Sequence, residues 1–214
     1  MFLGTGFIIE DGTVLVTADH NIRGFIDTPL YFTTATDVTT FWELEVIDRD
    51  PLHDLALLAV DAGYAPQMPR LTVLGEDFEP ATDQQVQTTE YGHTEEVDGR
   101  LKLRPATRIG NVTRVIDATE NLSGPAGVDA LEISFPALRG ASGAPVFYSF
   151  YRPGQVVGVI VANASYDLLP IQIETDLTDD NTLLEERKYL LPQALAVNIK
   201  HLLPMYNRHL KGQS

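Results

Sequence analysis

Over the first two thirds of the chain the apolar positions come in short runs. "GTGFIIE", "TVLVTA", "LYFTT" and "FWELEVIDR" are rich in β-branched and aromatic residues and are cut apart by Gly, Asp, Asn or Pro, the pattern of strands separated by turns. "DLALLAV" is apolar nearly throughout and predicts a buried strand or strand pair. Residues 61–83 carry three prolines and read as a surface connection between two halves. Strand runs then resume in "QQVQTTEYG", "RLKLRPATRIGNVTRVI", "ALEISF", "APVFYSF" and "QVVGVIVAN". This rhythm predicts an all-β barrel or sandwich. Near the end, Leu195, Ile199 and Leu202 fall on one face at helical spacing and predict a short amphipathic helix. Residues 165–190 break the rhythm. "SYDLLPIQIETDLTDDNTLLEERK" holds seven acids and two bases and is expected to be a solvated surface loop, with a lid or docking segment as the alternative.

Composition narrows the classes. The 214 residues suffice for one large all-β domain or two small subdomains sharing a core. Cysteine is absent, so no disulfide framework exists, which suits a reducing compartment. No signal peptide and no apolar run of membrane-spanning length is visible; a cytoplasmic location is expected, without a membrane partner. The net charge of −15 argues against nucleic acid, whose binding draws on cationic side chains. No two histidines stand at i, i+4, no His-Glu-x-x-His occurs and no glycine-rich phosphate loop is present. Neither metal nor cofactor is expected.

One stretch carries candidate chemistry. "RGASGAPVF", residues 139–147, sets Ser142 between Gly140 and Gly143, as a backbone shaped around one hydroxyl would require. Serine is a weak nucleophile until a base takes its proton. His20 follows the apolar strand "VLVTA" and is expected at a strand-end rim. Asp54 opens "DLALLAV", where a carboxylate needs a hydrogen-bonding partner such as an imidazole N–H. His53 is a rival base, but strand neighbours face opposite ways. His93, His201 and His209 are expected at the surface, and Trp42 as a packing residue.

The order His20, Asp54, Ser142 is that of the chymotrypsin-like fold. The chain resembles the trypsin-like serine peptidases, and within them the bacterial Do-like, high-temperature-requirement proteases. "GTGFIIEDGTVLVTADHNI", "HDLALLAV", "GASGAPVF", "QVVGVIVAN" and the closing "LPQALAVNIKHLL" carry the resemblance in register. It implies two tandem antiparallel β-barrels with a short C-terminal helix: residues 1–70 with His and Asp, a connection at 71–83, residues 84–197 with the serine and an acidic insertion at 165–190, and a helix at 198–212. It implies a serine endopeptidase in which Ser142 attacks, His20 acts as general base then acid, and Asp54 orients the imidazole. The backbone N–H groups of Gly140 and Ser142 would form the oxyanion hole. Pro136, Ala137, Leu138, Val161, Ala162 and Asn163 would line the primary pocket. No acid stands at its base, so cleavage after apolar or small residues of a protein or peptide substrate is expected. Two departures stand out. Ala141 replaces the Asp often found before the serine, which puts zymogen activation by a new N-terminus in doubt. Asp19 replaces the usual Ala before the histidine. The alternative is a protease-fold binding or scaffold module, and a regulatory partner at 165–190 remains open.

Overall fold

The computed structural model describes residues 1–9, 12–34, 38–61, 70–73, 80–98, 100–117, 129–149, 154–178 and 181–212, with the backbone alone for residues 96 and 165–191. Residues 74–79 of the expected connection lie outside the described residues. The fold is all-β, with a short helix at the C-terminal end.

The first half is a sheet built on β1 (Phe7–Ile9), β2 (Val14–Ala18), β3 (Leu30–Phe32), β4 (Trp42–Asp50) and β5 (Leu55–Val60). β1 pairs antiparallel with β2, β2 with β5, β5 with β4 and β4 with β3. Successive side chains of a strand face opposite ways, and here both faces are buried. Ile9, Val14, Val16, Leu55 and Leu57 join the main core, while Ile8, Leu15, Ala56 and Leu58 join a second, smaller one. That double burial is why "LALLAV" is apolar without alternation. Trp42 stacks on Phe32 with ring centroids 4.9 Å apart, a packing role.

β6 (Arg70–Val73) joins the halves, running parallel to β1 on one side and to β13 (Gln155–Thr178) on the other. The second half comprises β7 (Gln85–Glu90), β10 (Ala106–Ile116), β11 (Ala130–Ile133), β12 (Pro145–Tyr148), β13 and β14 (Asn181–Asn198). Its order β12-β7-β10-β11-β14-β13 is closed by the β12–β13 pairing, giving a six-stranded barrel. Among the described residues no pairing closes the first sheet in the same way. A side hairpin, β8 (Glu95–Val97) with β9 (Arg100–Lys102), stands apart. The main core runs through both halves, from Val16 and Leu57 to Val146, Val159, Ile160 and Val197. A 3₁₀ turn, Ile199–His201, leads into α2 (Leu202–Gly212), whose Leu202, Met205 and Tyr206 seal the core.

Within the acidic insertion, residues 165–178 and 181–190 are strand rather than loop. β13 and β14 continue out of the barrel as an antiparallel ribbon, from Gly158↔Asn198 to Thr178↔Asn181, with the register shifting between Leu168 and Gln172. The count of acids hid an alternation, Ile171-Gln-Ile173-Glu-Thr175-Asp-Leu177, of the period that suits a strand. Each strand satisfies the other's backbone groups, so the ribbon needs no third partner.

Candidate active site

β2 and β5 bring the first two candidates together through their register. Ala18, the last residue of β2, pairs with Leu55, the first of β5. The residues just beyond these ends are therefore neighbours. Asp19 opens a single helical turn, α1 (Asp19–Ile22). Its N–H donates to the Asp54 carbonyl (3.0 Å) and the His20 N–H to Asp54 Oδ1 (2.8 Å). His20 Nδ1 lies 2.5 Å from Asp54 Oδ2. The imidazole is exposed, at 40%, whereas the Asp54 side chain keeps only 15% of its surface. Asp54 has a φ of +55°, a left-handed conformation that aspartate tolerates better than most residues. It belongs to the turn before β5 rather than to the strand, so the opposite-faces argument does not apply to His53. His53 turns away to Asp50, with Nδ1 2.6 Å from Oδ2, and stacks on His201 with centroids 3.8 Å apart.

Ser142 sits in the turn before β12, half-buried. Gly140 and Gly143 have φ of +89° and +86°, which only glycine adopts freely. A Cβ on Gly143 would lie 2.1 Å from Thr5 O and 2.4 Å from Thr17 Oγ1, so the residue is also fixed by contact with the first half. The Gly143 N–H donates to Ile160 O (2.7 Å) and the Ile160 N–H to Ala144 O (2.9 Å), anchoring the turn to β13. From the other side, the Thr5 N–H donates to Ser142 O (3.0 Å) and Asn21 Nδ2 to the same oxygen (2.9 Å). Thr5 Oγ1 donates to Gly140 O (2.8 Å). The residue after the histidine thus grips the backbone of the serine. Among the described residues no acceptor takes the N–H of Gly140 or of Ser142, and no hydrogen bond joins His20 to the Ser142 hydroxyl.

Thr5, Thr17 and Asn21 were not among the expected site residues. Their bonds span up to 135 positions; the one local signal was a buried amide directly after the histidine. Asp19, by contrast, now has an environment. Its side chain is fully buried and accepts from Arg49 Nε at 2.6 Å and Arg23 Nε at 2.9 Å. Burial alone would raise its pKa, but the hydrogen bonds and charges of the two guanidinium groups outweigh it and hold the carboxyl below the usual range.

Of the six expected pocket residues, the structure joins two directly. Asn163 Oδ1 accepts from the Ala137 N–H and Asn163 Nδ2 donates to the Ala137 carbonyl, both at 2.7 Å. The amide copies the donor and acceptor of a peptide unit and ties the segment before Ser142 to β13. Val161 is buried, and Pro136, Leu138 and Ala162 are half-buried. An apolar groove of about 470 Å³, lined by Phe2, Phe25, Phe41 and Tyr91, reaches Thr17 and Asn21 beside His20. A more open hollow of about 920 Å³ between Ile26–Leu30 and Glu43–Val46 holds none of the candidate residues. His201 is not a surface residue: its ring is 18% exposed. Among the described residues no group of three or more His, Cys, Asp or Glu could hold a metal ion, and no helix is long and apolar enough to cross a membrane.

Comparison with known proteins agrees with this geometry. Residues 4–159 match the family model of the trypsin-like peptidase domain. Among solved structures, the HtrA-type protease AlgW with a decapeptide superposes with a TM-score of 0.63 at 16% identity, over 95% of this chain and 50% of that one. The chain therefore spans about half the length of AlgW. An inactive serine-to-alanine mutant of Rv3671c from M. tuberculosis H37Rv superposes with a TM-score of 0.59 at 19% identity, over 96% of this chain and 80% of that one. No curated protein matches. A family match over most of the chain, on a fold that brings His20 to Asp54 and ties Asn21 to Ser142, means that this protein belongs to the trypsin-like peptidases, a family of serine proteases.

Proposed function

We propose that the chain is a serine endopeptidase working through an acyl-enzyme on Ser142. The observation that carries this reading is the His20–Asp54 pair at 2.5 Å, tethered to the serine by the Asn21–Ser142 bond of 2.9 Å. Ser142 Oγ attacks the carbonyl carbon of the scissile bond while its proton passes to His20 Nε2. Asp54 stays ionised, holds Nδ1–H and stabilises the imidazolium. The carbonyl oxygen becomes an oxyanion and accepts from the N–H groups of Gly140 and Ser142, for which no described residue supplies an acceptor. The intermediate collapses, the amine departs with the proton from His20, and an ester remains on Ser142. Water then repeats both steps, releasing the acid and restoring the hydroxyl. Preorganised donors of this kind are worth about 3–4 kcal/mol each.

The hydroxyl still has to meet His20. Catalytic hydrogen bonds are often loose before substrate binds, so substrate or a regulatory partner on the acidic ribbon would complete the contact. The wall of Pro136, Ala137 and Leu138, without an acid, suits a small or apolar residue before the cleaved bond. Hydrolysis of an Ala, Leu, Phe and Lys peptide panel by the protein and by Ser142→Ala tests the reading. The expected result is turnover favouring the uncharged residues, reduced about 10⁴–10⁶-fold in the variant. Equal hydrolysis by Ser142→Ala removes the nucleophile assignment, and a Lys preference removes the pocket assignment.

A further inference from the structure

Asp19 stands directly before His20, takes no part in the proposed reaction and is fully buried. A buried carboxylate is a poor source of stability, because desolvation offsets most of what its partners return. An alanine would fill a strand end at no such expense. Its partners suggest another purpose. Arg49, on β4, gives its Nε to Asp19 Oδ1. Arg23, just past α1, gives its Nε to Asp19 Oδ2, and its Nη2 lies 3.7 Å from Asp54 Oδ1. The Asp19 N–H meanwhile holds the Asp54 carbonyl at 3.0 Å. Asp19 thus ties β4 to the end of α1 through its carboxylate, and reaches the turn carrying Asp54 through its own N–H and through Arg23. Asp54 is also held at a φ of +55°, and such conformations persist only where surroundings over-determine them.

We propose that Asp19 is a positioning residue: gripped by Arg49 and Arg23, it locks the Asp54 turn against α1 so that Asp54 presents its carboxylate to His20. The proposal rests on the serine-peptidase reading. It explains why both carboxylate oxygens of Asp19 are engaged and why Arg23 serves two aspartates at once.

The test combines peptide kinetics, fluorophosphonate labelling of Ser142 and thermal unfolding for the unaltered protein, Asp19→Asn and Arg23→Gln. Arg208→Gln, which breaks an exposed pair with Asp48 on the same strand, is the control. In Asp19→Asn we expect kcat and the labelling rate to fall about 10–100-fold, the scale of a sub-ångström to ångström misplacement, with KM within about twofold. Arg23→Gln, whose side chain is 55% exposed, should fold normally and lose about three- to tenfold in kcat. It carries the test if Asp19→Asn does not fold. A role in stability alone predicts lowered melting temperatures with unchanged kcat for the folded variants, and that result overturns the proposal. So does an equal fall in Arg208→Gln, or a change confined to KM. An unaltered protein that neither labels at Ser142 nor hydrolyses peptide overturns the peptidase reading and this proposal with it. Normal labelling of the unaltered protein beside normal kcat in both variants overturns this proposal only.

Discussion

Replacing Gly143 by alanine tests how the two halves hold the nucleophile. Alanine at a φ of +86° costs about 1–2 kcal/mol from the left-handed conformation alone. The added Cβ would also lie 2.1 Å from Thr5 O, 2.4 Å from Thr17 Oγ1 and 3.0 Å from the Ala18 nitrogen. Two of these are backbone atoms of the first half, so relief requires the serine turn to withdraw by about 1–1.5 Å, judged against contact distances near 3.5 Å. Withdrawal breaks the Thr5 N–H bond to Ser142 O and the Asn21 bond to the same atom, each worth about 1 kcal/mol. The combined loss is on the order of 4 kcal/mol, which for a chain of this size lowers Tm by about 8–16 °C. A shift of about 1 Å in the nucleophile also slows reaction about 100-fold. Differential scanning calorimetry and the rate of fluorophosphonate labelling measure the two effects. A Gly143→Ala protein with a melting temperature within 2 °C of the unaltered one, labelling at the same rate, would refute the reasoning.

Asn163→Ala removes both bonds to Ala137; the wall loosens, and kcat/KM for Phe relative to Ala peptides should rise about threefold or more, with unchanged selectivity refuting the clamp. Burial, with help from the neighbouring His53 charge, pulls the His201 pKa below its ordinary 6.5. The unfolded chain therefore binds this proton more readily than the folded one, and the stabilisation present above the ordinary 6.5 is lost as pH falls below it and through the lowered folded-state pKa. In urea titrations His201→Gln should flatten that decline; a parallel pH profile would show that another group is responsible. Replacing residues 170–188 by an Asn-Gly turn removes ribbon pairs that reach no other described strand. Tm should hold within a few degrees and short-peptide turnover should persist, while protein-substrate turnover changes at least threefold if the ribbon docks substrate or partner. Equal turnover on protein substrates would reject that role.

What could be read from the residues differs by the range of the interactions. The strands were legible because β1, β2 and β5 are buried on both faces and so leave a local record in their composition. His20 and Asp54 could be paired because their motifs flank strands that adjoin in register. Asp19 could not be interpreted from its neighbours, since Arg49 lies 30 positions away on a strand whose twist and register decide the contact. Thr5 and Asn21 are invisible for the same reason. His53 was judged by strand geometry, yet it stands in a turn, where alternation of faces has no force. The acid count at 165–190 points to a loop because charge reports solvation, whereas period reports conformation, and the period there is that of a strand.

The most direct test of the central claim is a crystal structure of the protein after reaction with a peptidyl phosphonate. The account predicts a covalent bond from Ser142 Oγ to phosphorus, His20 Nε2 within hydrogen-bond distance of that oxygen, and the phosphonyl oxygen about 3 Å from the N–H groups of Gly140 and Ser142. An adduct on another residue, or an unreacted Ser142 with His20 still bound to Asp54, would contradict it.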